Sequence, residues 1–156
     1  MQTRELLTEP KGPVGVLEAM MGDAVDDYLA SVPRDESHPF LARQPRSWSL
    51  TAWGVIMQSQ GHQIPHFHGS GWLSGVYYVR IPAVVGAPGE TRAGWIEFGR
   101  PWADLDLAVE PEVRALQPEE GLMLLFPSYF FHGTIPFESA EERICIAFDV
   151  RPEFDD

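Results

Sequence analysis

Hydrophobic and polar residues follow two different periods along the chain, and the change of period separates a helical part from a β-rich part. Between Val14 and Ser31 the apolar residues recur every three or four positions, with acidic residues between them. This spacing places the apolar side chains on one face and predicts an amphipathic helix over residues 14–32, ended by Pro33. Residues 1–13 show no sustained period, so we expect them to form an arm laid across the domain or a frayed end.

After a polar loop, short runs rich in aromatic and β-branched residues begin, and Gly and Pro turns separate them. The segments that we predict as strands are 48–57, 64–68, 72–81, 94–99, 104–109, 121–126, 130–135 and 142–150. Seven or eight short strands with this spacing predict a β-sandwich or barrel behind one helix, with residues 46–150 as the β core. The most loop-like interior segment, residues 83–94, is interpreted as a hairpin excursion or a lid over a site.

Length and charge narrow the class of protein further. The 156 residues have the length of one domain, and we expect a single domain over residues 1–156. A net charge of −12 argues against nucleic acid or a membrane as partner, because binding to either needs clustered Lys and Arg. The single cysteine, Cys145, and the absence of a signal peptide predict a cytoplasmic protein. Aromatic edge strands allow a homodimer.

Three of the five histidines, His62, His66 and His68, fall within seven positions, immediately before a run of β-formers. In a strand, side chains at i and i+2 point to the same face, so His66 and His68 project together while Phe67 points the other way. Two imidazoles placed in this way can bind one metal ion. The alternative is that they are ordinary hydrogen-bonded or surface histidines, which is what we expect of His62 and His38.

A third histidine, His132, follows a buried strand near the far end of the chain. A jelly roll brings such distant strands side by side, so His132 can complete a facial set of three ligands with His66 and His68. Three protein ligands leave open positions on a metal, which indicates catalysis rather than a structural role. Taken alone, His132 would be interpreted as an edge histidine after an aromatic run.

The segment 141–150 alternates cleanly between two faces. One face carries the apolar residues Ile144, Ile146, Phe148 and Val150, and the other carries Arg143, Cys145, Ala147 and Asp149. The small neighbours of Arg143 leave room for a ligand, and its guanidinium can anchor a dicarboxylate cosubstrate. The alternative for Arg143 is a surface ion pair with Glu141 or Glu142. Asp149 is placed to reach the same pocket face, although an aspartate at a strand end usually caps the strand or faces water.

Five separated motifs occur in a specific order: His66-Phe67-His68, Ser74-Gly75-Val76-Tyr77-Tyr78-Val79, Leu125-Phe126-Pro127-Ser128, His132 and Arg143-Ile144-Cys145-Ile146-Ala147-Phe148. Together they resemble the iron(II)/2-oxoglutarate-dependent oxygenase family whose members are sometimes fused to tetratricopeptide repeats, a relative of the prolyl hydroxylases. The resemblance spans about residues 38–152.

The resemblance implies an all-β, cupin-like double-stranded β-helix (jelly roll) with the N-terminal helix packed on it. In this comparison His66 and His132 match the two iron-binding histidines. Arg143 matches the basic residue that holds the far carboxylate of 2-oxoglutarate, and Tyr78 matches a tyrosine that hydrogen-bonds the same carboxylate. Tyr77 lies on the strand face opposite to Tyr78, so only one of the two tyrosines can serve. Fe(II) and 2-oxoglutarate are therefore the implied metal and cosubstrate.

The implied reaction couples oxidative decarboxylation of 2-oxoglutarate by O₂ to hydroxylation of a C–H bond in a small-molecule, amino-acid or peptide substrate. Most such oxygenases carry Asp or Glu at the position of His68, so a set of His66, His68 and His132 departs from the wider pattern. This departure leaves open a three-histidine cupin-type dioxygenase that does not use 2-oxoglutarate. A non-catalytic jelly-roll binding module is the alternative from a different class.

Overall fold

The structure, a computed structural model, describes residues 1–8, 12–86 and 91–153. Its elements in chain order are β1 (Gln2–Glu5), α1 (Gly12–Ser31), a 3-10 turn (Leu41–Arg43), β2 (Ser47–Gly61), β3 (Leu73–Arg80), α2 (Ala83–Gly86), β4 (Ile96–Phe98), β5 (Arg114–Leu116), β6 (Met123–Pro127), β7 (His132–Thr134) and β8 (Phe137–Glu153).

The strands form two antiparallel sheets, which confirms the all-β prediction. One sheet has five strands in the order β1-β2-β8-β3-β6, and the other has three in the order β5-β4-β7. Strands β2 and β8 pair along most of their length, from Ser47 opposite Glu153 to Gly61 opposite Phe137. These two long strands form the central part of the larger sheet. Strand β3 pairs with β8 along one edge and with β6 along the other.

The alternation along β8 divides the core into two clusters of buried side chains. Cys145 belongs to the cluster between the sheets, where it packs with residues of β2, β3, β4 and β6. Phe148 and Val150 point to the opposite face and pack against α1, whose Met21 and Val25 are fully buried. The N-terminal amphipathic helix is therefore confirmed, and burial of its apolar face holds it on the larger sheet.

Helix α1 begins two residues before the predicted start and ends at Ser31. Neither of the α-helices in the described part of the chain is long and apolar enough to cross a membrane.

Residues 2–5 form a strand at the edge of the larger sheet rather than an irregular arm. Backbone N–H groups of β2 donate to side chains of β1, from Gly54 to Thr3 Oγ1 at 2.8 Å and from Ala52 to Glu5 Oε1 at 2.9 Å. The side chains that bind β2 are polar, so residues 2–5 show no hydrophobic period. The pattern of the sequence therefore could not indicate this strand. Residues 9–11 of the predicted arm lie outside the described residues.

Two predicted strands are absent from the described ranges 12–86 and 91–153. Within 64–68 only His66 forms an isolated bridge, and Pro65 lacks a backbone donor. The segment 104–109 alternates, but its apolar residues stay exposed, including Leu105 and Val109, and the strand of that region is β5 at Arg114–Leu116. Alternating apolar and polar residues form a strand only where a neighbouring strand supplies hydrogen bonds and other side chains cover the apolar face.

The segment 83–94, expected to be loop-like, contains a short helix. It starts with the short helix α2, in which Val85 is buried in the cluster between the sheets. Residues 87–90 of the predicted excursion or lid lie outside the described residues.

Replacement of Gly75 by alanine is expected to destabilise the fold by roughly 1–3 kcal/mol, because an added methyl group overpacks a filled core. A Cβ at Gly75 would overlap the ring of Phe148, which lies opposite it on β8 and is fully buried. The measurement is chemical denaturation of the metal-free protein. Gly22→Ala in α1 is the control, and because its Cβ meets only the Trp48 ring at 3.7 Å it should keep or raise stability. Equal stability of the two variants would contradict this account.

Candidate metal centre

Three histidines from two distant parts of the chain converge at one end of the space between the sheets. One ligand atom each from His66, His68 and His132 lies within 4.8 Å of the other two. The ring centroids are 4.4 Å apart for His66 and His132, 5.1 Å for His68 and His132, and 5.3 Å for His66 and His68. This is the donor set that imidazole-preferring divalent metals require.

Backbone pairing brings the histidines together. His66 and His132 face each other in an antiparallel bridge, and each N–H donates to the other's carbonyl at 2.9 Å. The N–H of His68 donates to the carbonyl of Ser128 at 2.9 Å. From outside, the Trp102 indole donates to the carbonyl of Pro65 at 2.8 Å and holds the segment in place. The predicted juxtaposition therefore occurs, although residues 64–68 are not a strand.

Each of the three imidazoles uses its Nδ1 atom for a contact outside the cluster. His66 Nδ1 lies 2.8 Å from the carbonyl of Ile64, and His132 Nδ1 lies 3.0 Å from that of Phe130. Carbonyl oxygens only accept, so these Nδ1 atoms carry the proton and leave the Nε2 lone pairs free. Metal-binding histidines usually have their second ring nitrogen occupied in this way.

His132 is the most deeply buried of the three histidines. Burial lowers its pKa to about 4, and the neighbouring His66 and His68 act in the same direction. The ring is therefore neutral near pH 7, which is the form that can bind a metal ion. Rings of Phe126 and Phe98 pack beside it, at centroid distances of 4.7 and 6.3 Å, and fix its orientation.

A cavity of about 180 Å³ opens beside the three histidines and is lined also by Tyr78 and Arg143. The small residues Gly75, Cys145 and Ala147 line it too, which agrees with the space expected beside Arg143 on that strand face. Burial raises the pKa of the Cys145 thiol and keeps it protonated.

Arg143 is buried, with 2% of its surface exposed, so the alternative of a surface ion pair with Glu141 or Glu142 is wrong. Its Nη1 donates to the carbonyl of Gly94, and the guanidinium carbon lies 5.3 Å from the centroid of the Tyr78 ring. The carboxylates that looked like partners bind elsewhere: Glu141 accepts from the backbone of Ala83, and Glu142 pairs with Gln58.

Two buried polar atoms in this cavity lack a hydrogen-bond partner among the described residues. They are the Tyr78 hydroxyl and the Arg143 Nε atom. Burial raises the pKa of Tyr78, and the nearby Arg143 only partly offsets this, so the hydroxyl remains a donor. A buried Nε–H group and a buried hydroxyl without acceptors are costly unless a ligand satisfies them. A carboxylate fits this position, as the far end of 2-oxoglutarate would require.

The sequence did not assign a role to the polar network behind His68. His68 Nδ1 lies 2.5 Å from Oδ1 of Asp149, and Ser74 Oγ donates to the same oxygen at 2.7 Å. Ser128 Oγ lies 2.9 Å from Ser74 Oγ. Asp149 is buried rather than capping the strand or facing water. The available signal was the alternation of β8, which places Asp149 on the same face as Arg143.

Two other histidines and two large aromatic residues lie outside the cluster. His62 is exposed, and His38 Nδ1 accepts from the backbone of Phe40 at 3.3 Å. Phe67 packs outside the cavity. Trp72 stacks on Phe40 with a centroid distance of 4.9 Å and lines a separate cavity of about 630 Å³.

The fold and the site together define a jelly-roll protein with a histidine-lined centre of the kind that binds a transition metal. A family model described as "Putative 2OG-Fe(II) oxygenase" matches residues 51–149, more than half of the chain. The chain belongs to this family of 2OG-Fe(II) oxygenases, whose metal and cosubstrate are Fe(II) and 2-oxoglutarate. The resemblance seen in the sequence is confirmed. No curated protein matches the chain.

Solved structures of similar fold include a prolyl-4-hydroxylase from Pseudomonas putida, with 14% identity and a TM-score of 0.50 over 76% of this chain and 58% of that one. HygX from Streptomyces hygroscopicus, with nickel and 2-oxoglutarate bound, has 15% identity and a TM-score of 0.51 over 71% of this chain and 58% of that one. These similarities confirm the double-stranded β-helix fold. The chain spans less than two thirds of the length of either protein.

Proposed function

We propose that His66, His68 and His132 bind Fe(II) and that the chain hydroxylates a C–H bond of a small-molecule, amino-acid or peptide substrate. The observation that carries the proposal is one cavity with three convergent imidazoles and two buried donors, Arg143 Nε and the Tyr78 hydroxyl, that have no partner among the described residues. A three-residue ligand set leaves positions open on the metal for cosubstrate and O₂. When bound, Fe(II) supplies the redox chemistry between O₂ and 2-oxoglutarate.

Arg143 and Tyr78 are proposed to bind the far carboxylate of 2-oxoglutarate. A guanidinium binds a carboxylate through charge-assisted hydrogen bonds, and the free Nε atom of Arg143 is such a donor. The Tyr78 hydroxyl adds a second, neutral donor. Both side chains are buried, so water competes weakly for the carboxylate and the cosubstrate is held in one orientation.

The substrate is proposed to approach at the open side of the cavity, where Gln2 and Gln63 line it. Gln2 is exposed, and β1 holds it there by pairing with β2. A cavity of about 180 Å³ beside the histidines is small, so we propose that only the reacting part of a larger substrate enters it. The absence of nucleic-acid and membrane partners, the homodimer, the single domain over residues 1–156 and the cytoplasmic location stay predictions.

Anaerobic titration of the Fe(II)-loaded protein with 2-oxoglutarate is expected to produce the visible charge-transfer band of a chelated keto acid. Succinate is the matched control, because it keeps two carboxylates but lacks the keto group and should produce no band. Fe(II) binding without the band would instead favour a three-histidine dioxygenase that does not use 2-oxoglutarate. Absence of Fe(II) binding, together with no gain in melting temperature on addition of Mn(II), would favour a binding module.

A further inference from the structure

His68 differs from the other two histidines of the cluster in the group that its Nδ1 atom contacts. His66 and His132 donate to neutral backbone carbonyls, whereas His68 Nδ1 lies 2.5 Å from the carboxylate of Asp149. A hydrogen bond to a carboxylate is shorter and stronger than one to a carbonyl. Of the three imidazoles, His68 is therefore the one whose orientation and donor strength depend on a charged residue.

We propose that Asp149 is a positioning residue for the metal centre: it accepts the Nδ1 proton of His68, directs the Nε2 lone pair at the metal and supplies negative charge behind that ligand. This inference rests on the proposed function, because it assumes that His68 is a ligand. Three neutral imidazoles leave the charge of a divalent ion uncompensated by its protein ligands. The carboxylate of Asp149 supplies that compensation through one hydrogen bond and makes His68 a stronger donor.

The surroundings of Asp149 are built to hold its carboxylate in this place. Asp149 is 7% exposed, and Ser74, its register partner on β3, donates to the same Oδ1 atom at 2.7 Å. Ser128 Oγ lies 2.9 Å from Ser74 Oγ and fixes the serine in turn. Asp149 is not a member of the three-residue metal cluster, so it acts through His68 rather than as a ligand. Among the described residues, the ion-pair partner of this buried carboxylate is the His68 ring nitrogen, and a buried charge is stable only when it is paired in this way.

The test compares wild type with Asp149→Asn, and Asp27→Asn on the exposed face of α1 serves as a control of equal charge change. We expect Asp149→Asn to weaken Fe(II) and Co(II) binding about 10–100-fold, the usual loss when the partner of a ligating histidine is removed. The charge-transfer band with 2-oxoglutarate should move to shorter wavelength, because a poorer donor makes the iron less electron-rich. Wild-type affinity and band position, with only the unfolding midpoint changed, would overturn the proposal.

A double-mutant cycle separates this inference from the proposed function. If Asp149 acts through His68, Asp149→Asn should have no further effect on metal affinity in a His68→Ala background. Unchanged affinity in Asp149→Asn, together with a loss in His68→Ala, would overturn the role of Asp149 and leave the proposed ligands intact. Unchanged affinity in His68→Ala would overturn both.

Discussion

Replacement of His66 by alanine is expected to weaken Fe(II) binding by more than about 100-fold, because loss of a ligand exceeds the 10–100-fold cost of losing a partner behind one. Hydroxylation should disappear with the metal. Binding can be measured with Co(II) by calorimetry, and the gain in melting temperature on metal addition provides a second measurement. The backbone bridge between His66 and His132 does not involve the side chain, so the metal-free variant should keep its fold.

The matched control for this experiment is His62→Ala. His62 lies four residues earlier, is exposed and is outside the three-residue cluster. Its removal should leave metal affinity and the metal-dependent gain in melting temperature unchanged. If His66→Ala bound the metal as tightly as His62→Ala, the proposed three-histidine site would be wrong even though the fold stands.

Replacement of Arg143 by methionine is expected to separate cosubstrate binding from stability. The affinity for 2-oxoglutarate should fall by roughly 100-fold or more, because truncating one partner of a buried charge pair costs about 2–5 kcal/mol. The free energy of unfolding without ligand should stay unchanged or rise, because the variant removes a buried guanidinium that has no carboxylate partner among the described residues. Chemical denaturation measures stability, and the anaerobic charge-transfer titration measures cosubstrate affinity.

Arg151→Met provides the control on the same strand, since Arg151 is exposed and should affect neither quantity. Fe(II) affinity in the absence of 2-oxoglutarate should also remain at the wild-type value in Arg143→Met. A large loss of unfolding free energy with unchanged cosubstrate affinity would show that Arg143 supports the fold rather than binding a ligand.

Local periodicity predicted the parts of the fold that depend on neighbours in the sequence. The alternation in β8 assigned Cys145 and Phe148 to opposite faces correctly. The same rule separated Tyr77 from Tyr78, and the family resemblance selected Tyr78, which lines the cavity. The helical period identified α1 within two residues of its start. These features follow from the geometry of a single strand or helix, so a short stretch of sequence contains the information.

Features that depend on long-range partners could not be predicted in this way. The segment 104–109 has the same alternation as a strand, yet it lies in neither sheet. Strand β1 shows no hydrophobic period, yet it pairs with β2 and also binds it through Thr3 and Glu5. Asp149 lies 81 residues from His68, and its role depends on the register that places β8 beside β3. A one-residue change of that register would turn Asp149 away from the histidines.

By itself, the sequence determined the β-rich class, the N-terminal helix and the residue types available for a metal centre. The resemblance of its motifs indicated the family. Only the tertiary structure decided that Arg143 is buried without a carboxylate partner among the described residues and that Asp149 contacts His68. The physical reason is that burial and ionic pairing depend on which distant strands become neighbours, and strand order and register set that arrangement rather than any local pattern.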